Sequence, residues 1–386
     1  MYVHFPWCRR ICPYCDFNVE VGRTPQPGFT DAILEELAQR AEPFAAWAPL
    51  RSVYFGGGTP SLWPADELGR VLDAARATLG LTDGAEVTLE ANPEDVTREQ
   101  VDRWRDAGIT RVSLGAQSVV APELVTLGRV HRADQVVESL DAIHGGGLAA
   151  SADVIYGLPD QRWPALQESL DALVDRGLRH LSAYALTIEP GTHFHRRVER
   201  QKMKPPLDDD QAELARRLVE HLRDRGLRRY EVSSYAVPGH EAIHNSLYWV
   251  QAPYLGLGPG AHSHRRSPQA THRRENTRNT STYMAQRPIG EAAEFEERLG
   301  ADDAVAEQIL TGVRTRWGVD LTVGGQQNPA TLLERLAPEL TALQGCGWLW
   351  WSGPRFGPTD AGFDFADGIA RRLVERLDSP SSGSLG

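Results

Sequence analysis

The chain has few of the features that mark membrane-bound, secreted or nucleic-acid-binding proteins. No stretch approaches the roughly 18 to 20 consecutive apolar residues that a membrane-spanning helix needs, and the N-terminus lacks the charged-then-apolar pattern of a signal peptide. Basic residues are outnumbered, with 41 Lys and Arg against 52 Asp and Glu, which gives a net charge of −11. Because affinity for nucleic acid depends largely on neutralising phosphates, we expect no nucleic-acid partner and place the protein in the cytoplasm.

Cysteine is also scarce, with four in 386 residues. Cys8, Cys12 and Cys15 lie close together, whereas Cys346 stands alone near the other end. Three neighbouring thiols cannot all pair among themselves, so this group indicates a metal site rather than a disulfide framework. The apolar surroundings of Cys346 predict a small buried hydrophobic residue.

The first two-thirds of the chain alternates short β-rich runs with amphipathic helical patterns. The predicted strands are Tyr2 to Phe5, Arg51 to Phe55, Glu86 to Glu90, Arg111 to Gly115, Ser151 to Ile155, His180 to Leu186 and Arg229 to Ser233. The predicted helices are Phe29 to Arg40, Asp66 to Thr78, Arg98 to Ala107, Ala133 to His144, Trp163 to Asp175 and Asp209 to Arg225. Such repeated βα units predict an α/β fold with a parallel sheet, either doubly wound or curled as a full or partial barrel, with functional groups at the C-terminal strand ends.

The last part of the chain has a different pattern: two helices, a Trp-rich hairpin and a final helix. This order predicts a small winged-helix-like domain. Ala301 to Asp378 contains seven basic and eleven acidic residues, so a structural or protein-contact role is favoured over DNA binding. We predict a core over 1–290 (core proper about 1–235), the winged-helix-like domain over 291–378 and a disordered tail over 379–386. The polar, basic stretch Arg265 to Arg278 is interpreted as a loop.

The cysteines follow the first predicted strand directly, with the spacing C-x3-C-x2-C from Cys8 to Cys15. Three thiolates from one loop can hold three irons of a [4Fe–4S] cluster and leave the fourth iron open to a small molecule. The alternative is a zinc site completed by His4 or a distant residue. Structural zinc usually takes paired ligand clusters, and the sequence has no second cluster.

With Tyr14 just before the last cysteine, this loop resembles the signature of the radical S-adenosylmethionine (SAM) superfamily. Further motifs resemble the family of oxygen-independent coproporphyrinogen III oxidases and their heme-chaperone relatives. In chain order these motifs are YVHFPWC, YFGGGTPS, LEANPE, SLGAQS, LGRVH, ADVIYGLP, LSAYALTIEPGT, YEVSSYA, HNSLYW and GLGPGAHS. The resemblance implies a partial (β/α)6 barrel, similar to a TIM barrel, with a small C-terminal winged-helix-like domain.

The resemblance also implies where SAM binds. Tyr2, Gly57 and Glu90 match contacts to the cluster-bound SAM. Positions at which the oxidase holds a second SAM are matched by Gly58, Thr59, Gln117, Arg129, Asp153 and Ala185. The alternative interpretation is a tight turn at the glycines and ordinary polar packing at the strand ends. In this family SAM is reduced by one electron at the cluster, giving methionine and a deoxyadenosyl radical; the sequence assigns no catalytic residue.

Two departures separate the chain from the oxidase branch. The oxidases have a further cysteine two residues beyond the last ligand and several dozen residues before the motif. Here that position is Phe17, and seven residues precede Cys8. Both differences match the heme-chaperone branch, in which the motif containing His244 is associated with heme binding. Without the resemblance, His244 is a hydrogen-bonded loop histidine whose neighbours Tyr248 and Trp249 pack between the core and the appendage.

The sequence therefore predicts a heme chaperone that binds a [4Fe–4S] cluster, SAM and heme and delivers heme to apo-hemoproteins such as respiratory enzymes. A homodimer and transient membrane association through a recipient stay open. The alternatives are an oxygen-independent coproporphyrinogen III dehydrogenase, a radical SAM enzyme that modifies heme, and a cluster-bearing module without SAM turnover. Other candidate heme ligands are His4, His262 and His264. The basic run His193 to Lys204 is predicted to be a solvated loop, with heme propionates as an alternative contact.

Overall fold

The computed structural model describes residues 1–22, 25–267, 270–286, 288–289, 293–323 and 327–378. The tail predicted over 379–386 lies outside this range. None of the helices in the described part of the chain combines the length and apolar character required to cross a bilayer.

Strands and helices alternate through residues 2–257. The strands are β1 (Tyr2–Phe5), β2 (Trp7–Cys8), β3 (Glu20–Val21), β4 (Leu50–Gly57), β5 (Leu81–Ala91), β6 (Arg111–Gln117), β7 (Ala149–Tyr156), β8 (His180–Ala185), β9 (Arg228–Arg229), β10 (Ser234–Ala236) and β11 (Gly256–Leu257). The helices are α1 (Phe29–Arg40), α2 (Ala65–Leu79), α3 (Arg98–Asp106), α4 (Ala121–Thr126), α5 (Ala133–Gly145), α6 (Trp163–Val174), α7 (His193–Glu199), α8 (Asp208–Asp224) and α9 (Ile243–Trp249).

Nine of these strands form one sheet in the order β11-β1-β4-β5-β6-β7-β8-β10-β9. Neighbours from β11 to β8 are parallel, and β10 and β9 run antiparallel. Within the described ranges β11 and β9 stand at the two ends without pairing to each other, so the sheet is open. Six successive parallel strands followed by helices confirm the predicted α/β class and partial (β/α)6 barrel.

Alternation along the strands separates the core from the barrel interior. In β6, Val112 and Leu114 are fully buried and belong to the main apolar cluster, which the outer helices share. Arg111 and Ser113, which alternate with these two residues along the strand, line a cavity inside the barrel. Because successive side chains of a strand point to opposite faces, the same strand contributes to the core and to a polar interior.

The predicted strand Arg229 to Ser233 is wrong. The structure has a short antiparallel hairpin there, in which Tyr235 pairs with Arg229. The turn is closed by the Tyr230 N–H, which donates to the Ser234 carbonyl oxygen at 3.0 Å. The segment that the sequence pattern predicted as one strand is therefore the end of β9 and the turn that leads to β10.

The loop predicted over Arg265 to Arg278 is also wrong. An antiparallel sheet is formed by β12 (His262–Arg266), β13 (Thr271–Asn276) and β14 (Ala293–Leu299). Helix α10 (Thr280–Ala285) lies between β13 and β14 in the chain. Residues 268–269 lie outside the described chain. Cross-strand ion pairs stabilise this sheet, including Arg273 to Glu297 at 3.1 Å. Strands whose cross-strand side-chain pairs are charged do not show the alternation of apolar and polar residues by which strands are predicted. This explains why the sequence predicted a loop here.

A buried carboxylate on α1 anchors this sheet to the barrel. Glu36 accepts hydrogen bonds from the Asn276 side-chain amide at 2.7 Å, the Tyr283 hydroxyl at 2.7 Å and the Gly258 N–H at 2.9 Å. It also pairs with Arg40 on the next turn of the helix. This network joins elements separated by more than 200 residues in the chain, from α1 to α10.

The C-terminal part has its own apolar cluster. Its elements are α11 (Ala301–Gly312), β15 (Val319–Asp320), α12 (Pro329–Gly345), β16 (Leu349–Ser352), β17 (Arg355–Pro358) and α13 (Ala366–Asp378). The predicted Trp-rich hairpin is β16 and β17, and its turn contains Gly353 with φ +56°. The division of the chain at residues 290 and 291 remains a proposal. Arg229 pairs with Asp364 at 2.9 Å and so connects this part to the barrel.

Cys346 is exposed, contrary to the prediction of a buried residue. Helix α12 buries Leu336, Leu340 and Leu343 along one face and ends at Gly345. Cys346 comes directly after the last residue of the helix, and its side chain does not join the buried leucines.

Candidate functional site

A cavity of about 540 Å³ lies inside the barrel and reaches the C-terminal ends of its strands. Most of its polar lining comes from residues spaced two apart on neighbouring strands. These are Thr88 and Glu90 on β5, Arg111, Ser113 and Gln117 on β6, Ser151 and Asp153 on β7, and His180, Ser182 and Tyr184 on β8. Because every second side chain of a strand points to the same face, these residues together form one concave polar surface.

The cysteine loop closes one side of this cavity, and Cys8, Cys12 and Cys15 all line it. The Cys15 N–H donates to the Cys12 carbonyl oxygen at 3.1 Å, which forms a turn between the two. Helix α7 supports the loop, because the Phe194 N–H donates to the Pro13 carbonyl oxygen at 2.8 Å. The first part of the basic run, predicted as a solvated loop, therefore forms α7, which buries Phe194 beneath the cysteine loop, whereas residues 200–204 lie outside any helix or strand.

The surroundings of the thiols fit an iron–sulfur cluster. The Thr59 hydroxyl donates to the Cys8 Sγ at 3.4 Å, and the Arg129 guanidinium donates to the Cys12 Sγ at 3.5 Å. Burial raises the pKa of Cys8, and it raises the pKa of Cys15 to about 11. Thiols release their protons when they coordinate a metal, and the Arg129 cation offsets part of the negative charge of the resulting thiolates.

A single metal ion has a less suitable ligand set. Across the described residues, no three His, Cys, Asp or Glu side chains converge to hold one ion. His4, the predicted fourth zinc ligand, is buried with both ring nitrogens in use: the Tyr2 hydroxyl donates to Nδ1 at 3.0 Å, and Nε2–H donates to the Asn18 carbonyl oxygen at 2.9 Å. A [4Fe–4S] cluster takes each thiolate on a different iron and needs no common point.

The glycine loop after β4 brings the backbone to the cavity. Gly57 has φ +114°, and a Cβ there would lie 2.6 Å from the His4 ring. Only glycine adopts this conformation beside that ring without strain. The next amides are held in place, since the Gly58 N–H donates to the Phe5 carbonyl oxygen at 2.7 Å and the Thr59 N–H donates to the Trp7 carbonyl oxygen at 2.9 Å.

Two carboxyl groups face the cavity with pKa values near neutrality. Glu90 accepts from the Tyr54 hydroxyl at 2.8 Å and from the Gly57 N–H at 3.0 Å. Burial, with a contribution from the Asp153 charge, raises the pKa of Glu90 to about 7. Burial likewise raises the pKa of Asp153 to about 6, although hydrogen bonds from Ser182 and Ser113 oppose the rise. Such groups occur at ligand sites, where a partner replaces the lost solvation.

Arg129 organises the opposite wall. Its guanidinium donates to the Gly115 carbonyl oxygen at 3.0 Å and to the Asn92 side-chain oxygen. The Asn92 amide in turn donates to the Thr59 hydroxyl at 3.3 Å. Gln117 has φ 63°, a left-handed conformation that costs free energy for a residue other than glycine and that recurs at functional sites.

The structure brings most of the predicted site residues together. Those that line the cavity are Cys8, Cys12, Cys15, Gly57, Gly58, Thr59, Glu90, Gln117, Arg129, Asp153 and Ala185. Tyr2 stands behind this surface, with its ring stacked 6.2 Å from the ring of Tyr54 and its hydroxyl bonded to His4.

His244 lies outside the cavity lining and is buried. Its Nδ1 is 2.8 Å from the Ser52 hydroxyl, and its Nε2 is 2.9 Å from the Tyr248 hydroxyl. Burial holds the pKa of this imidazole well below its usual range. Both ring nitrogens are hydrogen bonded, as in the alternative interpretation, but His244 lies in α9 rather than in the loop that this interpretation predicted. Its neighbour Asn245 is the residue of this motif that lines the cavity.

The sequence interpretation missed several cavity residues. They include Tyr54, Asn92, Arg111, His180 and Tyr184. Arg111 lies six residues before the predicted Gln117 on β6, and both line the cavity, so the period of two along a strand is a signal for it. His180 and Tyr184 are an odd number of residues from Ala185, the residue predicted on β8, so this period does not find them. Asn92 has no such signal, because it lies just after β5 and its role depends on Arg129.

Comparisons with known proteins extend these observations. The model of the radical SAM superfamily matches residues 2–173. The heme chaperone HemW of Mycobacterium tuberculosis is 38% identical over 386 residues, covering 97% of this chain and 94% of the relative. The heme chaperone HemW of Lactococcus lactis is 31% identical over 374 residues, covering 97% and 96%.

Among solved structures, the coproporphyrinogen III oxidase HemN of Escherichia coli, described as a radical SAM enzyme, has a TM-score of 0.76 at 21% identity. The match covers 98% of this chain and 89% of HemN, and it supports the fold. The cysteine loop, the open barrel and the whole-length likeness to HemW proteins agree, and the chain belongs to the HemW family of the radical SAM superfamily.

Proposed function

We propose that this protein is a cytoplasmic heme chaperone that holds a [4Fe–4S] cluster on Cys8, Cys12 and Cys15, binds SAM in the barrel cavity, and delivers heme to apo-hemoproteins such as respiratory enzymes. The observation that carries the proposal is the set of three thiols at a polar barrel cavity, in a chain similar over its whole length to heme chaperones.

The cavity residues have complementary roles toward SAM in this proposal. Glu90 accepts hydrogen bonds from the ribose hydroxyls, while the glycines at 57 and 58 let the backbone approach the methionine end. Asp153 and Arg129 offer a negative and a positive group for a second SAM or for other charged parts of a ligand. When bound, the cluster supplies a single electron to SAM. The surrounding protein fixes the loop and limits access of water.

The residue at position 17 favours the chaperone over the oxidase. Phe17 is 67% exposed, at the position where the oxidase branch has its further cysteine. A phenyl ring offers neither a metal ligand nor a proton donor, so Phe17 cannot supply the chemistry of that cysteine. An exposed aromatic ring is instead suited to contact with an apolar ligand or a protein.

Heme binding by His244 remains a proposal, and it requires a local rearrangement of the hydrogen bonds around the imidazole. Because Nε2 is bonded to the Tyr248 hydroxyl, ligation of heme iron by His244 requires that bond to open. His244→Ala therefore tests two effects together, namely loss of a ligand and loss of a buried hydrogen-bonded group. A heme titration of Tyr248→Phe separates them, since it frees Nε2 without removing the imidazole.

Anaerobic reconstitution tests the proposed function. The reconstituted protein is given coproporphyrinogen III, SAM and a reductant in one assay and heme in another. We expect heme binding and no formation of protoporphyrinogen. Accumulation of protoporphyrinogen would contradict the chaperone function and support the dehydrogenase. Cys12→Ala serves as the control for the cluster, because loss of a thiolate removes it under either function.

A further inference from the structure

A second concave surface lies on the outer side of the cysteine loop. This groove has a volume of about 730 Å³ and is bounded by the loop, the end of α4 and the first turn of α7. The loop separates the two spaces, because seven of its residues line both the groove and the barrel cavity: Arg10, Ile11, Cys12, Cys15, Asp16, Phe17 and Val19. His193, Arg196 and Arg197 line the groove and not the cavity. Drug-sized ligands occupy pockets of roughly 300 to 1,000 Å³, a range that includes this groove.

Large apolar side chains are exposed along the groove. Ile11 is 46% exposed, Phe17 is 67% exposed and Val125 is 78% exposed, and all three line it. Pro13 and Pro190 add further apolar surface. Exposed apolar residues gathered at one concave site indicate a ligand or partner surface rather than random exposure.

The charge of the groove contrasts with that of the chain. Arg10, Arg196 and Arg197 line it against a single acidic residue, Asp16, which leaves a local excess of two positive charges in a protein of net charge −11. Arg196 donates to the Gly191 carbonyl oxygen at 2.6 Å. Within the described part of the chain, none of the three arginines has an ion-pair partner. Unpaired guanidinium groups beside an apolar surface suit a ligand with an apolar body and carboxylates.

We propose that this groove is the heme-binding site, a proposal that rests on the chaperone function above. Heme is a flat apolar macrocycle with two propionates, which match the apolar lining and the excess of two positive charges. His193 lines the groove and is exposed, so its imidazole is accessible to an iron ion. The geometry thus assigns axial ligation to His193, and propionate contacts to Arg10 and Arg197, rather than requiring the enclosed His244.

A heme titration of the anaerobically reconstituted full chain tests the assignment, followed by the visible absorbance of heme. Iron-free protoporphyrin IX and heme dimethyl ester are titrated in parallel, since the first lacks the iron and the second lacks the carboxylate charges. Arg10→Gln and Arg197→Gln are each expected to weaken heme binding about fivefold, as for a partly exposed ion pair, and to leave the dimethyl ester unaffected. His193→Ala is expected to weaken heme binding and change its spectrum while protoporphyrin IX binds as before.

Matched controls come from α7 and the residue that follows it. His195→Ala and Arg200→Gln alter a histidine and an arginine of the α7 segment that do not line the groove, so both are expected to bind heme like the wild type. The absorbance of the iron–sulfur cluster shows that each variant retains its loop.

Two results distinguish failure of the groove from failure of the function. If the wild type binds heme but the groove variants bind it equally well, the groove assignment is overturned and the chaperone function stands, whether or not His244→Ala abolishes binding. If the wild type binds no heme, both proposals fail. Selective loss in the groove variants, with the controls unchanged, supports the assignment.

Discussion

Replacing Glu90 with Gln is expected to stabilise the SAM-free protein and to weaken its binding of SAM. The pKa of Glu90 is about 7 in the folded protein against an ordinary value of 4.5. That difference corresponds to about 3 kcal/mol of lost folding free energy when the carboxylate is ionised in both states. Glutamine carries no charge, so Glu90→Gln is expected to recover up to about this amount at pH 8.

The pH dependence follows from the sign of the shift. The folded protein binds the Glu90 proton more tightly than the unfolded chain does, so the folding penalty is absent below pH 4.5. It grows between pH 4.5 and about 7 and is complete above that range. The gain in stability from Glu90→Gln therefore follows the same curve, small at pH 5 and largest at pH 8.

The substitution keeps the local hydrogen bonds. The glutamine carbonyl can accept from the Gly57 N–H, and its amide can donate to the Tyr54 hydroxyl, whose proton is free to rotate. The ribose hydroxyls lose a charged acceptor, however. Hydrogen bonds to charged groups contribute about 1.5 to 3 kcal/mol, which predicts roughly 10- to 100-fold weaker SAM binding.

Anaerobic denaturant titrations of the SAM-free protein at pH 5 and pH 8 measure the first effect, and calorimetric SAM titrations of the reconstituted protein measure the second. Glu168→Gln is the control, since this carboxylate is exposed on α6 and its loss is expected to change stability by less than about 0.5 kcal/mol. A gain of equal size at both pH values, or none at pH 8, would refute the reasoning.

Three further experiments test other parts of the structure. Glu36→Ala is expected to lower the free energy of unfolding by about 3 to 5 kcal/mol, because the buried donors of Asn276, Tyr283 and Gly258 lose their shared acceptor and the half-buried Arg40 loses its carboxylate partner; a loss below about 1 kcal/mol in a denaturant titration would contradict this. Arg129→Gln is expected to weaken SAM binding about tenfold by removing a half-buried cation from the cavity, and unchanged binding in equilibrium dialysis would count against the site. Cys12→Ala is expected to lose the cluster, whereas the exposed Cys346→Ala keeps it; iron and sulfide analysis decides both.

The parts of the fold that follow a regular apolar pattern were predictable. The barrel strands alternate buried apolar residues with polar ones, and α1, α2, α5, α6 and α8 each bury one apolar face. The cysteine loop is local in sequence, so its spacing predicts a metal site, while the resemblance implies the [4Fe–4S] cluster rather than zinc. The resemblance to the oxidase family implies Glu90 and Asp153 as site residues, and both line the cavity because they lie near the carboxyl ends of strands of the same parallel sheet.

Elements stabilised by charge or by distant contacts were not predictable. The sheet of β12, β13 and β14 pairs through arginines and glutamates, and α7 was hidden in a basic run because a single buried Phe194 fixes it beneath the cysteine loop. The surroundings of His244 depend on Ser52, which lies 192 residues away in the chain. No local pattern reports such a contact.

Heme transfer tests the central claim most directly. The reconstituted protein is loaded with heme, freed of excess heme and mixed anaerobically with an apo-hemoprotein of a respiratory enzyme, and the absorbance of both proteins is followed. The chaperone function predicts that heme leaves this protein and reconstitutes the recipient. Failure of the wild type to bind or release heme, together with conversion of coproporphyrinogen III to protoporphyrinogen by the same preparation, would contradict it.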